Sequence, residues 1–334
     1  MRRATVFILL VNLVTATSAW DAHGHRVITY LALDGLTADM PQFLRENAIR
    51  DQIAEQSNEP DRWRGCDVSC LHHENAPDHY LDVELLDQFG LTLDSVPPLR
   101  YEYLRALAIA KHEHPDRVDA YDASKDPHRT KEWPGMLPWA IAEHQSKLQS
   151  AFNSLRILEA LNEPARAHQL AMARANVAYH MGVLSHFVGD AAQPLHTTKH
   201  FNGWVGPNPS GYTSAKSFHS YIDGDVIELH KLTYAMLKPA MKHDRRIAEG
   251  EEWSATLAHI RRGFERVDEL YKLEKSGGLK SEPGKEFISE RLRDGAETLT
   301  AYYRAAWEAA KPTSKQIADF KKYNNFNPVV LPRE

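Results

Sequence analysis

Through most of its 334 residues this chain repeats apolar side chains at three- and four-residue intervals and almost nowhere alternates them. That spacing lays an apolar stripe along one side of a helix, whereas a half-buried strand needs alternation. The pattern predicts helices over 23–36, 41–55, 98–112, 138–162, 164–193, 214–239, 252–273 and 284–310. Pro41, Pro98, Pro138 and Pro164 stand near helix starts, where a missing N–H costs little. The expected fold is all-α: one multi-helix domain over 20–311, with no linker-like boundary and no internal repeat, then a peripheral tail over 312–334. The stretches 56–97, 113–137 and the Gly/Pro/Asn-rich 197–213 break the pattern and are expected as long loops. On a helical scaffold such loops usually carry function.

The first nineteen residues have the form of an export signal. Arg2 and Arg3 precede the short apolar run Val6 to Val14, and Thr17-Ser18-Ala19 puts small residues at a cleavage position. The run is far shorter than the roughly 20 apolar residues of a spanning helix. Cleavage after Ala19 leaves Trp20 as the new N-terminus of a secreted or periplasmic protein without stable membrane insertion. It also removes two arginines and no acid, so a balance of 40 basic and 45 acidic residues becomes 38 against 45, or −7. No global field draws such a chain to nucleic acid or anionic lipid, so any phosphate affinity must be local. Two cysteines, Cys66 and Cys70, read as a small disulfide, with a zinc clasp formed with His72 and His73 as the alternative. There is no acceptor for N-glycosylation.

Histidine is the outlier, with 18 residues, and it is the commonest metal ligand. In His186-Phe-Val-Gly-Asp190-Ala-Ala-Gln-Pro-Leu-His196, His186 and Asp190 share one helix face. Leu184, Phe187 and Val188 turn that face inward. A buried imidazole and carboxylate need partners, which either a metal ion or an ordinary hydrogen bond between the two supplies. Pro194 ends the helix and redirects His196, so one segment can feed two metal positions. His219 and Asp223 repeat the four-residue spacing. Trp20-Asp-Ala-His-Gly-His25 is a third candidate, and Asp61 and His79 lie in the 56–97 stretch. Nitrogen and carboxylate donors together suit zinc. His72-His73-Glu74 and His112-Glu113-His114 lack the i, i+4 histidine pair of a zincin helix. The first reads as loop decoration or cleft wall, the second as a frayed helix end. No nucleophile elbow, Walker or Rossmann glycine pattern is present.

An N-terminal Trp with a His five residues on, a loop Asp, an H-[aromatic]-x-D element, H-x₃-D-x₂-QP-x-H and a later H-x₃-D occur here in that order. From Trp20 to about Asp223 the chain therefore resembles the zinc-dependent phospholipase C / S1-P1 nuclease superfamily. The resemblance implies an all-helical domain with long loops around a trinuclear zinc cleft. One zinc is implied at Asp61, His79, His186 and Asp190, and a second at His196, His219 and Asp223. The third is implied at the amine and carbonyl of Trp20 and at His25, with Asp190 bridging. Arg64 matches an arginine that stabilises phosphate charge, and with Asp190 it is a catalytic candidate; a surface ion pair is its plain alternative. Tyr80 and Asp82 match positions that stack on a base and hydrogen-bond to it, or else a packed ring and a carboxylate orienting a ligand. Asp223 and Gln193-Pro-Leu-His196 follow the nuclease form, whereas Pro60-Asp61 replaces Ala-Asp and a Gly-Gly-Asn stretch is missing. The implied activity is cleavage of single-stranded nucleic acid or nucleotides to 5′-phosphate products. Phospholipase C action on phosphatidylcholine-type lipid is the second reading. A non-catalytic zinc-binding secreted protein is the third, and the presence of Arg64 beside the full ligand set argues against it. No protein partner is implied.

Overall fold

The computed structural model describes residues 20–323, so the export signal expected over 1–19 lies outside the described residues, as does 324–334. The fold is all-α in one body, and no strand occurs among the described residues. Its helices are α1 (Ala22–Asp34), α2 (Asn47–Gln56), α3 (Glu59–Gly65), α4 (Ser69–Asn75), α5 (Arg100–Glu113), α6 (Leu137–Leu161) and α7 (Ala167–Ala192). After these come α8 (Phe218–Ser220), α9 (Val226–Leu229), α10 (Tyr234–Leu237), α11 (Glu252–Phe264), α12 (Val267–Ser276), α13 (Glu282–Ala309) and α14 (Ser314–Tyr323). None of them is long and apolar enough to cross a membrane.

The axis of the molecule is α7. It packs along α6, to which the short turn 162–166 joins it, and is flanked by α1, α2, α11 and α13. From Met181 to Ala192 every residue of α7 is buried. A helix apolar nearly all round belongs in a core, and the polar residues Ser185, His186 and Asp190 go into that core with it. Gln193, extended ahead of Pro194 at φ −84° and ψ 116°, ends the helix. A short 3₁₀ turn, Pro194–His196, then leads the chain away.

Most expected helices appear within a few residues of their predicted bounds. The segment 214–239 does not form one helix. It is α8, a π turn over Tyr221–Asp225, α9, and then a break before α10. The break has local causes: Lys231 is left-handed (φ 52°), and the Thr233 side chain caps α10. The segment 252–273 divides at Glu265 into α11 and α12. The 56–97 stretch holds α3, α4 and 3₁₀ turns over Ala76–His79 and Val83–Phe89. Asp61 therefore stands in the first turn of a helix opened by Pro60, not in a loop. Helices of seven residues make fewer than two full turns, too little for a periodic stripe to show.

The cysteine expectation is also corrected. Cys66 and Cys70 are free; the Cys66 thiol points at the Trp63 carbonyl (3.1 Å) and Cys70 is exposed on α4. The alternative clasp does not form either, since His73 turns to the His128 carbonyl (2.8 Å) and His72 packs against the His128 ring. His112 and Glu113 close α5 and His114 caps it, as a helix end.

Candidate metal centre

Eight ligand-type side chains from separate parts of the chain meet in the interior, in three groups, two of which share His186. His25, His186 and Asp190 form one, Asp61, His79 and His186 another, and His196, His219 and Asp223 the third. Asp190 is central: its oxygens lie 3.4 Å from His25 Nε2, 3.1 Å from His79 Nδ1, 3.4 Å from His186 Nε2 and 3.9 Å from His196 Nδ1. His196 Nε2 lies 2.9 Å from His219 Nε2, and that nitrogen is 3.2 Å from Asp223 Oδ2. His219 and Asp223 thus share the site with His186, as their matching spacing predicts.

Each ligand is aimed by its local fold. His25 comes from the second turn of α1, whose first turn is capped by the Asp21 carboxylate accepting the His23 and Gly24 N–H groups. Its ring stacks on that of His186 with centroids 4.0 Å apart. Gly189 makes room for it, since a Cβ there would sit 2.9 Å from His25 Nδ1. The Trp20 side chain is wholly buried and its indole N–H donates to the Gly189 carbonyl (2.9 Å), one residue before Asp190. The 79–83 segment runs beside the turn after α7: Leu81 N–H donates to the His196 carbonyl (2.9 Å) and Val83 N–H to that of Thr197 (3.2 Å).

Protonation decides what such a cluster can hold. His186 Nδ1 faces the Ser57 carbonyl at 2.7 Å and His196 Nδ1 faces that of His79. A carbonyl only accepts, so both Nδ1 atoms carry the hydrogen. In their neutral form, the one a cation binds, these rings turn bare Nε2 lone pairs inward. There His186 Nε2 meets His79 Nδ1 at 2.9 Å, and His196 Nε2 meets His219 Nε2. Further buried atoms without a partner are both nitrogens of His25, His79 Nε2, His219 Nδ1, Asp190 Oδ1 and Asp223 Oδ2. Buried polar atoms are ordinarily paired, and so many left unpaired around one carboxylate are a cation's surroundings. Backbone carbonyls that fix the tautomer of a ligating histidine are the usual outer layer of a metal site. The residues fit a metal ion.

The electrostatics agree. Burial holds His25 down at about 3 and His79 at about 4, and depresses His196 and His219 as well, so these imidazoles are neutral donors. Burial opposes charge on Asp61 and Asp190, but neighbouring histidines, with Arg64 beside Asp61, outweigh it and keep both ionised. His186, between them, is raised despite its burial by Asp190 and Asp61. Burial pushes Asp223 well up, against the hydrogen bond from Gln193.

The cluster meets solvent at Asp61 and Arg64, whose side chains keep 15% and 18% of their exposure. Arg64 Nη2 lies 2.5 Å from Asp61 Oδ1, so the ion-pair reading of Arg64 and its place at the cluster mouth are both true. Tyr80 is half-buried, its hydroxyl donates to the Thr130 carbonyl (2.6 Å), and its backbone presses on Gly135. Its ring is therefore packed into the wall. Asp82 makes no hydrogen bond to a cluster histidine; its Oδ1 is buried without a partner, and burial raises its carboxyl to about 8. Sequence reasoning passed over Gln193, which donates to Asp223 Oδ1 (2.7 Å). The available signal was an amide at the end of an apolar helix, where nothing but a polar partner justifies its burial. A groove of about 550 Å³ between α6, α7 and α14 contains none of the cluster residues. No family model matches this chain, and no curated protein does either.

Proposed function

We propose that this protein is an exported zinc-dependent phosphodiester hydrolase of the S1/P1 nuclease type, acting on single-stranded nucleic acid or nucleotides. The observation that carries the reading is the convergence of eight imidazoles and carboxylates whose unpartnered atoms face one another beside an arginine at the cluster mouth. Asp61, His79, His186 and Asp190 would hold one zinc, and His196, His219 and Asp223 a second. His25, Asp190 and the freed amine and carbonyl of Trp20 would hold a third. Zinc in such a cluster supplies Lewis acidity toward water and a phosphoryl oxygen.

The chain's own part is to bind and orient. Arg64 places a fixed cation where a phosphodiester enters, and its charge stabilises the negative charge that builds on phosphorus oxygens. Asp190, touching three imidazoles within 3.4 Å, holds the groups at one spacing. The Phe187 ring, packed against His79 and His186, helps exclude bulk water, which strengthens every charge interaction inside. Burial of the Trp20 indole against Gly189 supports the third position, because it anchors the residue whose amine cleavage would free. With Tyr80 packed against Gly135, Asp82 is the better candidate for hydrogen bonding to a base. Nucleic acid is preferred over lipid because Asp223 and the Gln193–His196 turn follow the nuclease form.

The test is a parallel assay of the mature chain on single-stranded DNA, a nucleoside 3′-phosphate and lecithin, with and without a strong chelator. Release of 5′-phosphate products, abolished by chelation and restored by zinc, is expected. Faster hydrolysis of lecithin replaces the nuclease reading with the phospholipase one, and no zinc-dependent hydrolysis of any of the three removes the enzyme reading.

A further inference from the structure

Gln193 is wholly buried at the end of α7, three residues after Asp190. Its Oε1 accepts the Leu195 backbone N–H at 2.6 Å. A backbone N–H can only donate, so the amide oxygen must face the turn and the amide nitrogen must face away from it. That nitrogen donates to Asp223 Oδ1 at 2.7 Å. One side chain thus binds the 3₁₀ turn that delivers His196 to the carboxylate that completes the same group. With Oδ1 held, the carboxylate cannot swing, and the unpartnered Oδ2 stays turned toward His219 Nε2 at 3.2 Å. A glutamine that served only to stop α7 would need the Leu195 contact alone. The second contact, across thirty residues of chain, has no role in ending a helix.

We propose that Gln193 is a positioning residue that sets the metal affinity of the His196–His219–Asp223 group, by fixing the Asp223 carboxylate and the Pro194–His196 turn together. The proposal rests on the metal-centre reading above. An outer hydrogen bond of this kind typically governs affinity by about 10–100-fold. Its effect is confined to one group, because Gln193 makes no hydrogen bond to His25, Asp61, His79, His186 or Asp190.

The experiment uses the full mature chain beginning at Trp20, as wild type, Gln193→Met and Gln193→Ala, stripped of metal. Each form is titrated with zinc against a chromogenic chelator and melted without metal. Methionine keeps the length of the side chain without donor or acceptor. Alanine removes the same two contacts without bulk, should methionine disturb the fold. The expected result is one zinc-binding step weakened by about 10–100-fold, with the other steps within roughly twofold of wild type. The metal-free melting temperature should stay within a few degrees. Wild-type affinity at every step in both variants overturns the positioning role and leaves the metal centre standing. Equal weakening of all steps, with loss of helical signal, also overturns it. A wild-type chain that takes up no zinc overturns the metal-centre reading, and the role of Gln193 with it.

Discussion

Two buried clusters of histidine and aspartate lie on opposite sides of α7, and they solve burial differently. On one side His259 donates from Nε2 to the Val188 carbonyl (2.9 Å) and accepts at Nδ1 from Arg262 (3.0 Å). Asp294 there faces Arg262 at 3.1 Å and Arg245 at 2.8 Å, and burial is outweighed by His259 and the arginines, which hold its carboxyl far down. Both His259 nitrogens have a partner, and arginines neutralise the carboxylate inside the protein. On the other side imidazole and carboxylate atoms are left without partners, both nitrogens of His25 among them. Composition does not separate the two; polarity of partners does. A network completed by the chain is structural, and one that the chain leaves short of positive charge is built for a cation.

The sharpest way to break that comparison is to neutralise one aspartate on each side. Asp190→Asn should abolish zinc uptake at the groups it touches, and should lower activity on single-stranded DNA at least about 10³-fold, because the metals carry the rate. Metal analysis and initial rates check this, and retained zinc with retained rate would dismantle the cluster. Asp294→Asn leaves Arg262 without its carboxylate and Arg245 with only the more distant Glu297 (3.8 Å), and should cost about 3–5 kcal/mol of stability in denaturant, with zinc content unchanged. Loss of zinc from this variant with little loss of stability would reverse the roles assigned to the two regions.

The regions should also differ in their dependence on the chain's end. A form with Met ahead of Trp20 turns the free amine into an amide, a poor ligand. It should fold, hold about two zincs rather than three and have little activity. Equal zinc content and equal rate in the two forms would remove Trp20 from the ligand set without touching the rest. Acid separates the regions as well. In metal-free protein His25 and His79 stay neutral down to about 3 and about 4, whereas the unfolded chain protonates them near about 6.5. Their folded pKa is depressed, so their contribution is complete above about 6.5 and is lost as pH falls toward 4 and 3. Asp294, also depressed, contributes above its unfolded value of about 3.9 and fails only below it. The metal-free melting temperature should therefore fall between pH 7 and 5, with the same slope in Asp294→Asn; a flat profile would contradict the assignment. The smallest effect belongs to Tyr80→Phe, which removes the bond to Thr130 and should cost about 0.5–1.5 kcal/mol of stability. KM should move by less than about twofold, and a larger rise in KM would return the ring to the substrate.

The helices and the pairs His186–Asp190 and His219–Asp223 were legible from short-range spacing, whereas His25, Asp61 and His79 entered the ligand set through the family resemblance. His186 with Asp190, and His219 with Asp223, are four apart, and α1, α6, α7 and α13 are long enough to show a stripe. What escaped depends on contacts distant in sequence or on segments too short for periodicity. Asp61 looked like a loop residue because α3 has seven residues. Tyr80 looked like a stacking platform, but Thr130 and Gly135, fifty and more residues on, pack against it. His259 and Asp294 carried no local signal, since their partners come from α7, α11 and the segment before α11. Gln193 was in plain view inside the motif, but its amide acquires meaning only through Asp223.

The π turn at Tyr221–Asp225 has a consequence for the lengths this protein can tolerate. A π turn is an α-helix with one residue too many, so the surplus is stored between His219 and Val226. Deleting any one residue there lets the helix regularise, whatever its identity. Each residue of an α-helix advances the chain by about 100°. Losing the surplus restores that advance without displacing the flanks, so His219 stays against His196 and the buried pair Val226 and Ile227 stays in the interior. A loss is tolerable only where it spares Asp223, and a substitution is most easily absorbed at the exposed Asp225.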